Sequence, residues 1–131
     1  NRFAAQMQRV LPGVAWVDLP PEHPLFHGVF DLKLPLSNLQ IPTKSGIDYW
    51  NRDYNPDDPA SRATRPRTGE DEMHVRAWLD DKGRIMAVAF HNTDNGDGWE
   101  RGGESDYYFH TFSEKVSFPL GINIIFYAMT H

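Results

Sequence analysis

The sequence predicts an α/β fold, in which helices alternate with the strands of one layered sheet. The main evidence is the run at 84–90, where six of seven side chains are apolar, followed abruptly by a polar loop with two glycines. A run of this kind is typical of a strand buried on both faces, inside a sheet. Ligands bind just beyond such strand ends in open α/β sheets, so the loop at 91–100 is the predicted functional region.

The composition limits the classes of function. The chain has 131 residues, enough for a single domain or for the carboxy-terminal portion of one, and no cysteine. Thiol nucleophiles, disulfides and cysteine-bound zinc are therefore excluded. The formal net charge of −5 argues against a nucleic-acid partner. No apolar run reaches the roughly 20 residues of a membrane span. Because the sequence starts without methionine, we expect it to come from a larger gene product.

The first third of the chain predicts a helix, a strand and a turn. Apolar residues at helical spacing predict a helix over 2–11, which Pro12 and Gly13 end. A short strand is expected over 14–19, and a single helical turn over 25–30. His23 and His27 have the four-residue spacing of a metal-binding pair, but Pro24 between them disfavours a helix there. Packing and capping are therefore the favoured roles of these histidines.

The middle of the chain predicts a long irregular insertion and a hairpin. Residues 35–73 are polar and aromatic without periodicity, as in a lid, a binding loop or a disordered segment. Alternating apolar residues over 74–79 predict a strand, which a turn at 80–83 joins to the strand at 84–90. Gly83 suits a left-handed turn position.

The last predicted helix covers 120–130 and is apolar nearly all round, so we expect it to be buried. Pro119 lies at its first turn and interrupts any helical turn before it. Asn123 is the polar exception on this helix and needs hydrogen-bond partners. Its expected role is to hold a neighbouring loop in place.

The loop and the aromatic segment that follows it supply the candidate site. Aromatic rings beside carboxylates and amides suit a carbohydrate or another small polar ligand. The candidate ligand-binding residues are His91, Asn92, Asp94, Asp97, Trp99, Glu100, Tyr107 and His110.

Three functions remain open at this point. The loop could bind a ligand or partner without catalysis. Alternatively, Asp94, Asp97 and Glu100 could hold a divalent cation for a metal-assisted hydrolase, with His91 as a ligand or base. The third alternative is a structural module whose polar loop closes the sheet end. Trp99 distinguishes these functions, since it either plugs the sheet end or lines a ligand cleft.

Three segments resemble one known family. They run from Leu19 to His27 (LPPEHPLFH), from His91 to Glu100 (HNTDNGDGWE) and from Pro119 to His131 (PLGINIIFYAMTH). The order and the sequences of these segments resemble a bacterial family catalogued as domain of unknown function 4159. The resemblance spans Phe3 to His131.

The resemblance implies a class I glutamine-amidotransferase-like fold, which is a flavodoxin-like layered sheet. It also implies an exported, periplasmic or extracellular protein, of which this chain is the carboxy-terminal part. It supplies no catalytic residues, and an amidotransferase needs a cysteine, so glutaminase activity is not expected. The favoured function is a non-catalytic ligand-binding or interaction domain without a required cofactor. A strand as apolar as the one at 84–90 usually pairs with another strand on each side. We therefore also expect that the protein self-associates or that an amino-terminal half is missing.

Overall fold

A computed structural model describes residues 2–32, 35–43 and 73–131. Most of the insertion predicted at 35–73 lies outside these ranges. The described elements are helix α1 (Arg2–Val10), strands β1 (Trp16–Asp18), β2 (His74–Leu79) and β3 (Ile85–His91), and helix α2 (Asn95–Glu100). They are followed by the short helix α3 (Asp106–Tyr108), a π-helix (Phe109–Ser117) and helix α4 (Phe118–Thr130).

The described strands form one antiparallel sheet in the order β1-β2-β3. A turn over residues 80–84 joins β2 to β3, and Gly83 adopts φ +78° there, as predicted. The Asp80 carboxylate accepts hydrogen bonds from the backbone N–H groups of Lys82 and Arg84, which fixes the turn. The mixed α/β class is thereby confirmed. A flavodoxin-like sheet has parallel strands, and no parallel pairing occurs among the described strands.

The prediction that the strand at 84–90 lies inside the sheet is wrong for the described strands. Among the described strands, β3 pairs only with β2 and lies at the end of the order β1-β2-β3. One face of β3 packs on the core through Val88 and Phe90. Small alanines occupy the alternate positions 87 and 89, so the strand is apolar without being covered on both sides. Met86 is the extra residue of a β-bulge between the pairs Trp78–Ala87 and Leu79–Ile85, and it is 45% exposed.

α1 lies against the outer face of the sheet at Trp78. Its Phe3 ring meets the Trp78 ring edge-on at 5.8 Å between centroids, and Trp16 of β1 contacts Trp78 at the same distance. The helix has no fully buried residue. α1 therefore holds its place mainly through one aromatic contact rather than through a continuous buried stripe.

The same face of the sheet also carries a row of ionic side chains. The Asp18 carboxylate lies 3.1 Å from Nε of Arg76 and 3.6 Å from Nδ1 of His74. The Arg76 guanidinium lies over the Trp16 ring at 4.6 Å. Cross-strand pairing explains the row, since Asp18 faces Arg76 and His74 faces His91 in the register.

The opposite face of the sheet forms the core with α4 and the segments at 19–32 and 36–39. Leu25, Phe26 and Ala77 are almost completely buried, and Leu120 and Tyr127 of α4 pack against the same cluster. A 3-10 turn covers Pro24–Phe26 and buries Leu25 and Phe26, so only the first two residues of the helical turn predicted at 25–30 belong to it.

The histidines near this turn have the structural roles that the sequence favoured. Nδ1 of His23 accepts a hydrogen bond from the Leu25 N–H and caps the turn. His27 contacts the Asp31 carboxylate and the Pro21 carbonyl through its two ring nitrogens. Neither histidine belongs to a metal-binding group among the described residues.

The helical region at 106–130 is continuous, contrary to the predicted interruption at Pro119. Phe118 donates its N–H to the Ser113 carbonyl, five residues earlier, which is the hydrogen-bond register of a π-helix. Pro119 follows directly and has no N–H to donate, so its position at the start of α4 breaks no bond of the α-helical register.

α4 is buried on one side only, which corrects the expectation of burial all round. Its buried residues are Leu120, Asn123 and Tyr127. The opposite side is solvent-exposed and entirely apolar, and its residues are Phe118, Ile122, Ile125, Phe126 and Met129. No helix among the described residues has both the length and the apolar character required to cross a membrane.

Candidate functional site

The predicted loop after β3 is shorter than expected. Residues 95–100 form α2, and only Asn92, Thr93 and Asp94 remain as loop between strand and helix. The Asp94 carboxylate accepts a hydrogen bond from the Asp97 N–H at 3.0 Å and caps α2. Asx residues are strong N-caps, which explains why a sequence with glycines at 96 and 98 still forms a helical turn here.

The loop is joined to the segment at 40–43 by several hydrogen bonds. The Ile41 N–H donates to Oγ1 of Thr93 and the Ile41 carbonyl accepts from the Asp94 N–H, at 2.9 and 2.8 Å. The Gln40 side chain donates to the Asn92 carbonyl at 2.8 Å. Asn92 has φ +59°, a left-handed conformation that asparagine tolerates better than most residues. The polar groups of the loop are thus hydrogen-bonded within the protein, as expected of a loop with a structural role.

The acidic residues of the loop do not converge on one point. The Asp97 carboxylate pairs with Nε of Arg101 at 3.2 Å, while Asp94 caps α2 and Glu100 is exposed. Within residues 2–32, 35–43 and 73–131, no three His, Asp or Glu side chains are grouped so that they could hold a metal ion. The cation site at Asp94, Asp97 and Glu100 stays a prediction without geometric support in these residues.

Three buried polar side-chain atoms have no hydrogen-bond partner among the described residues. They are Nδ1 of His91, Oδ1 of Asn95 and Oγ of Ser113. The His91 ring faces the His74 ring at 6.1 Å between centroids.

The aromatic residues of the candidate site divide into separate contacts. Tyr107 meets Phe112 edge-on at 6.0 Å between ring centroids. His110 pairs with Glu114 at 3.0 Å one turn later, at the exposed side of the π-helix. The structure therefore does not bring Tyr107 or His110 into one cleft with Trp99.

Tyr108 is a structural residue that the sequence did not single out. It is fully buried, and its hydroxyl donates to the Pro42 carbonyl at 2.8 Å. Burial raises the pKa of the Tyr108 phenol well above its ordinary value. Tyr108 thus remains a neutral donor and ties the π-helix region to the segment at 40–43. The only sequence signal for it is its place among the neighbouring aromatic residues.

Trp99 is the predicted site residue with the clearest binding geometry. Nε1 donates to the Ser117 carbonyl at 2.7 Å, and the indole lies against Gly121 of α4. A side chain at position 121 would crowd Nε1 at 3.1 Å, so glycine allows this contact. Trp99 is nevertheless 45% exposed, and thus does not plug the sheet end.

The exposed side of the Trp99 indole borders an apolar groove on α4. The groove has a volume of about 480 Å³. Its lining is made by Trp99, Phe118, Gly121, Ile122, Ile124 and Ile125.

Asn123 has the loop-holding role that the sequence predicted. Its Oδ1 accepts from the Phe30 N–H at 2.9 Å, and its Nδ2 donates to the Phe30 carbonyl at 2.8 Å. The side chain is fully buried and bonded at both ends, which satisfies the polar group on an otherwise apolar helix. Asn123 therefore belongs to the scaffold rather than to a ligand site.

These observations define a small α/β domain with a hydrogen-bonded structural loop, in which the half-exposed Trp99 lies over an apolar helix face. The sequence matches the family described as Domain of unknown function (DUF4159) over residues 1–129, and the chain belongs to that family. No curated protein and no solved structure matches the sequence significantly.

Proposed function

We propose that the protein is a non-catalytic interaction domain that associates through the exposed face of α4, and that the occupant of the groove is α4 of a second copy. The observation that carries the proposal is the position of Trp99, whose half-exposed indole borders an apolar groove of about 480 Å³. Half-exposed aromatic residues at such a groove are common anchors of protein interfaces.

The spacing of the exposed residues supports a helical occupant. Phe118, Ile122, Ile125 and Met129 are 38%, 43%, 63% and 80% exposed. They follow one another at intervals of four, three and four residues, which is the spacing of a coiled-coil seam. A helix with the same stripe would therefore fit along α4, and α4 of a second copy has that stripe.

The chemistry of the groove also favours a helix over a sugar. Its six lining residues carry no carboxylate, amide or hydroxyl side chain, whereas carbohydrate sites need such groups to bind hydroxyls. The sequence of α4 contains no charged residue that would repel an identical helix. An uncharged, self-complementary stripe is what a two-fold symmetric interface requires.

The test is the mass of the protein in solution, measured by sedimentation equilibrium. We expect the wild type to dimerise at micromolar concentration and the Ile125→Asp variant to remain monomeric, since a buried unpaired charge is costly. Val10→Asp is the matched control, because Val10 is 69% exposed on α1 and should leave the dimer intact. A monomeric wild type at all concentrations, or loss of the dimer in Val10→Asp as well, would overturn the proposal.

A further inference from the structure

A second cavity lies between the π-helix and the residues at 30–32 and 38–39. Its volume is about 570 Å³, within the range of small-molecule sites. Its lining is made by Phe30, Asp31, Leu32, Asn38, Leu39, Thr111, Lys115, Val116 and Pro119. None of these residues is among the site residues that the sequence predicted.

The floor and the rim of the cavity differ in chemistry. Leu32 and Leu39 at the floor are 6% and 2% exposed and belong to the core cluster, so the floor is both apolar and rigid. Asn38, Thr111 and Lys115 bring an amide, a hydroxyl and an ammonium group to the rim. An apolar cavity with a few convergent polar groups is the usual form of a ligand site.

The π-helix explains why Thr111 shares the cavity with Lys115 and Val116. In the i→i+5 register, residues four and five positions apart lie on the same face. The wider turn therefore aligns the hydroxyl of Thr111, the ammonium of Lys115 and the apolar surface of Val116 toward one cavity.

The charges at the rim determine the sign of the ligand. The Asp31 carboxylate bonds to Nδ1 of His27 at 2.5 Å, and its side chain is 88% exposed to solvent. Lys115 has no ion-pair partner within the described part of the chain. The Asp31 carboxylate is thus held by the His27 ring, whereas the Lys115 ammonium is the charged group at this cavity with no partner among the described residues.

We infer that this cavity binds an amphipathic organic anion, with the apolar body against Leu32, Leu39 and Val116 and a carboxylate on Lys115. Lys115 supplies a charge-assisted hydrogen bond, and Thr111 donates a second one from its hydroxyl. Medium-chain fatty acids have this chemistry. The inference goes beyond the proposed self-association, since the two surfaces share no lining residue.

The experiment is isothermal titration of the full chain with decanoate. We expect saturable binding to the wild type, and affinity lower by about tenfold or more in Lys115→Gln, as for loss of a hydrogen bond to a charged group. Lys82→Gln removes the same charge from the exposed hairpin turn and should bind like the wild type. Decanol, which has the same chain without the charge, should bind the wild type about as weakly as decanoate binds Lys115→Gln.

Three results would overturn the inference. The first is no saturable heat from decanoate at millimolar concentration with the wild type. The second is equal affinity in Lys115→Gln and Lys82→Gln. The third is loss of decanoate binding in Ile125→Asp but not in Lys115→Gln, because the acyl chain would then occupy the α4 groove. A monomeric wild type would contradict the proposed function while leaving this inference standing.

Discussion

At the level of single residues, Trp78 and Trp99 differ in burial and should therefore differ in their contribution to stability. Trp78 is 1% exposed, whereas Trp99 is 45% exposed and keeps one hydrogen bond to the Ser117 carbonyl. We expect Trp78→Ala to lower the free energy of unfolding by about 3–5 kcal/mol. Trp99→Ala should cost only about 1–2 kcal/mol, because half of the indole already contacts water. Urea denaturation of both variants measures the difference, and equal losses would place Trp99 in the core.

Residue roles that follow from local rules could be predicted from the sequence. Asn123 is polar on an apolar helix, so a hydrogen-bonded role was predictable, and its two bonds to Phe30 confirm it. The position of Trp99 could not be predicted. It depends on Ser117 and Gly121, which are 18 and more positions away in the chain. Nothing in the pattern around Trp99 indicates that contact.

At the level of elements, glycine controls how closely α2 approaches the π-helix. A Cβ atom added at Gly98 would lie 2.4 Å from Oγ and 2.6 Å from Cβ of Ser117. Gly98→Ala should therefore lower the free energy of unfolding by about 1–3 kcal/mol, as overpacking does. Gly103 has no heavy atom within 4 Å of the corresponding position, so Gly103→Ala should be neutral or stabilise by less than about 1 kcal/mol. Thermal melts compare the pair, and similar effects of both changes would refute this packing argument.

The turn at 20–32 should give the protein a pH-dependent stability. The hydrogen bond to Asp31 is the largest cause that raises the pKa of His27 above 6.5. A raised folded-state pKa gives stability that is fully present below pH 6.5 and is lost as pH rises through the folded pKa. His23 acts oppositely, since burial lowers its pKa and stability is lost as pH falls.

The Asp31→Asn variant isolates the contribution of His27. We expect the melting temperature of the wild type to exceed that of Asp31→Asn, and the difference to be largest below pH 6.5. The difference should decrease as pH rises through the folded-state pKa of His27. Melting curves from roughly pH 5 to pH 8 cover the titration of histidine. An unchanging margin over this range would show that the His27–Asp31 contact is not coupled to protonation.

Element identity was largely predictable, but element burial was not. The periodicity at 2–11, 74–79 and 84–90 correctly predicted α1, β2 and β3. The apolar runs of β3 and α4 were read as buried on all sides, because composition does not report what lies against each face. In β3 the alternate positions are small alanines, and in α4 a whole face lacks a neighbour among the described residues.

At the level of the whole molecule, the strand order depends on contacts that are distant in sequence. β1 and β2 pair through Trp16–Trp78 and Asp18–Arg76, although some sixty residues separate them in the chain. Local patterns predict each strand but do not fix which strands become neighbours or whether they run parallel. The mixed α/β class was therefore predictable, while the antiparallel order of the described strands was not.

The net charge of the chain leads to a final prediction. Salt should have opposite effects on self-association through α4 and on decanoate binding at the second cavity. Each copy has a formal charge of −5 at pH 7, so two copies repel each other, while the α4 stripe between them is uncharged. Added sodium chloride screens this repulsion, and self-association through α4 should become stronger. Decanoate binding depends on the attraction of Lys115, so salt should weaken it. Sedimentation and calorimetry at low and high salt measure both trends, and a dimer that dissociates on adding salt would indicate an ionic interface rather than the α4 stripe.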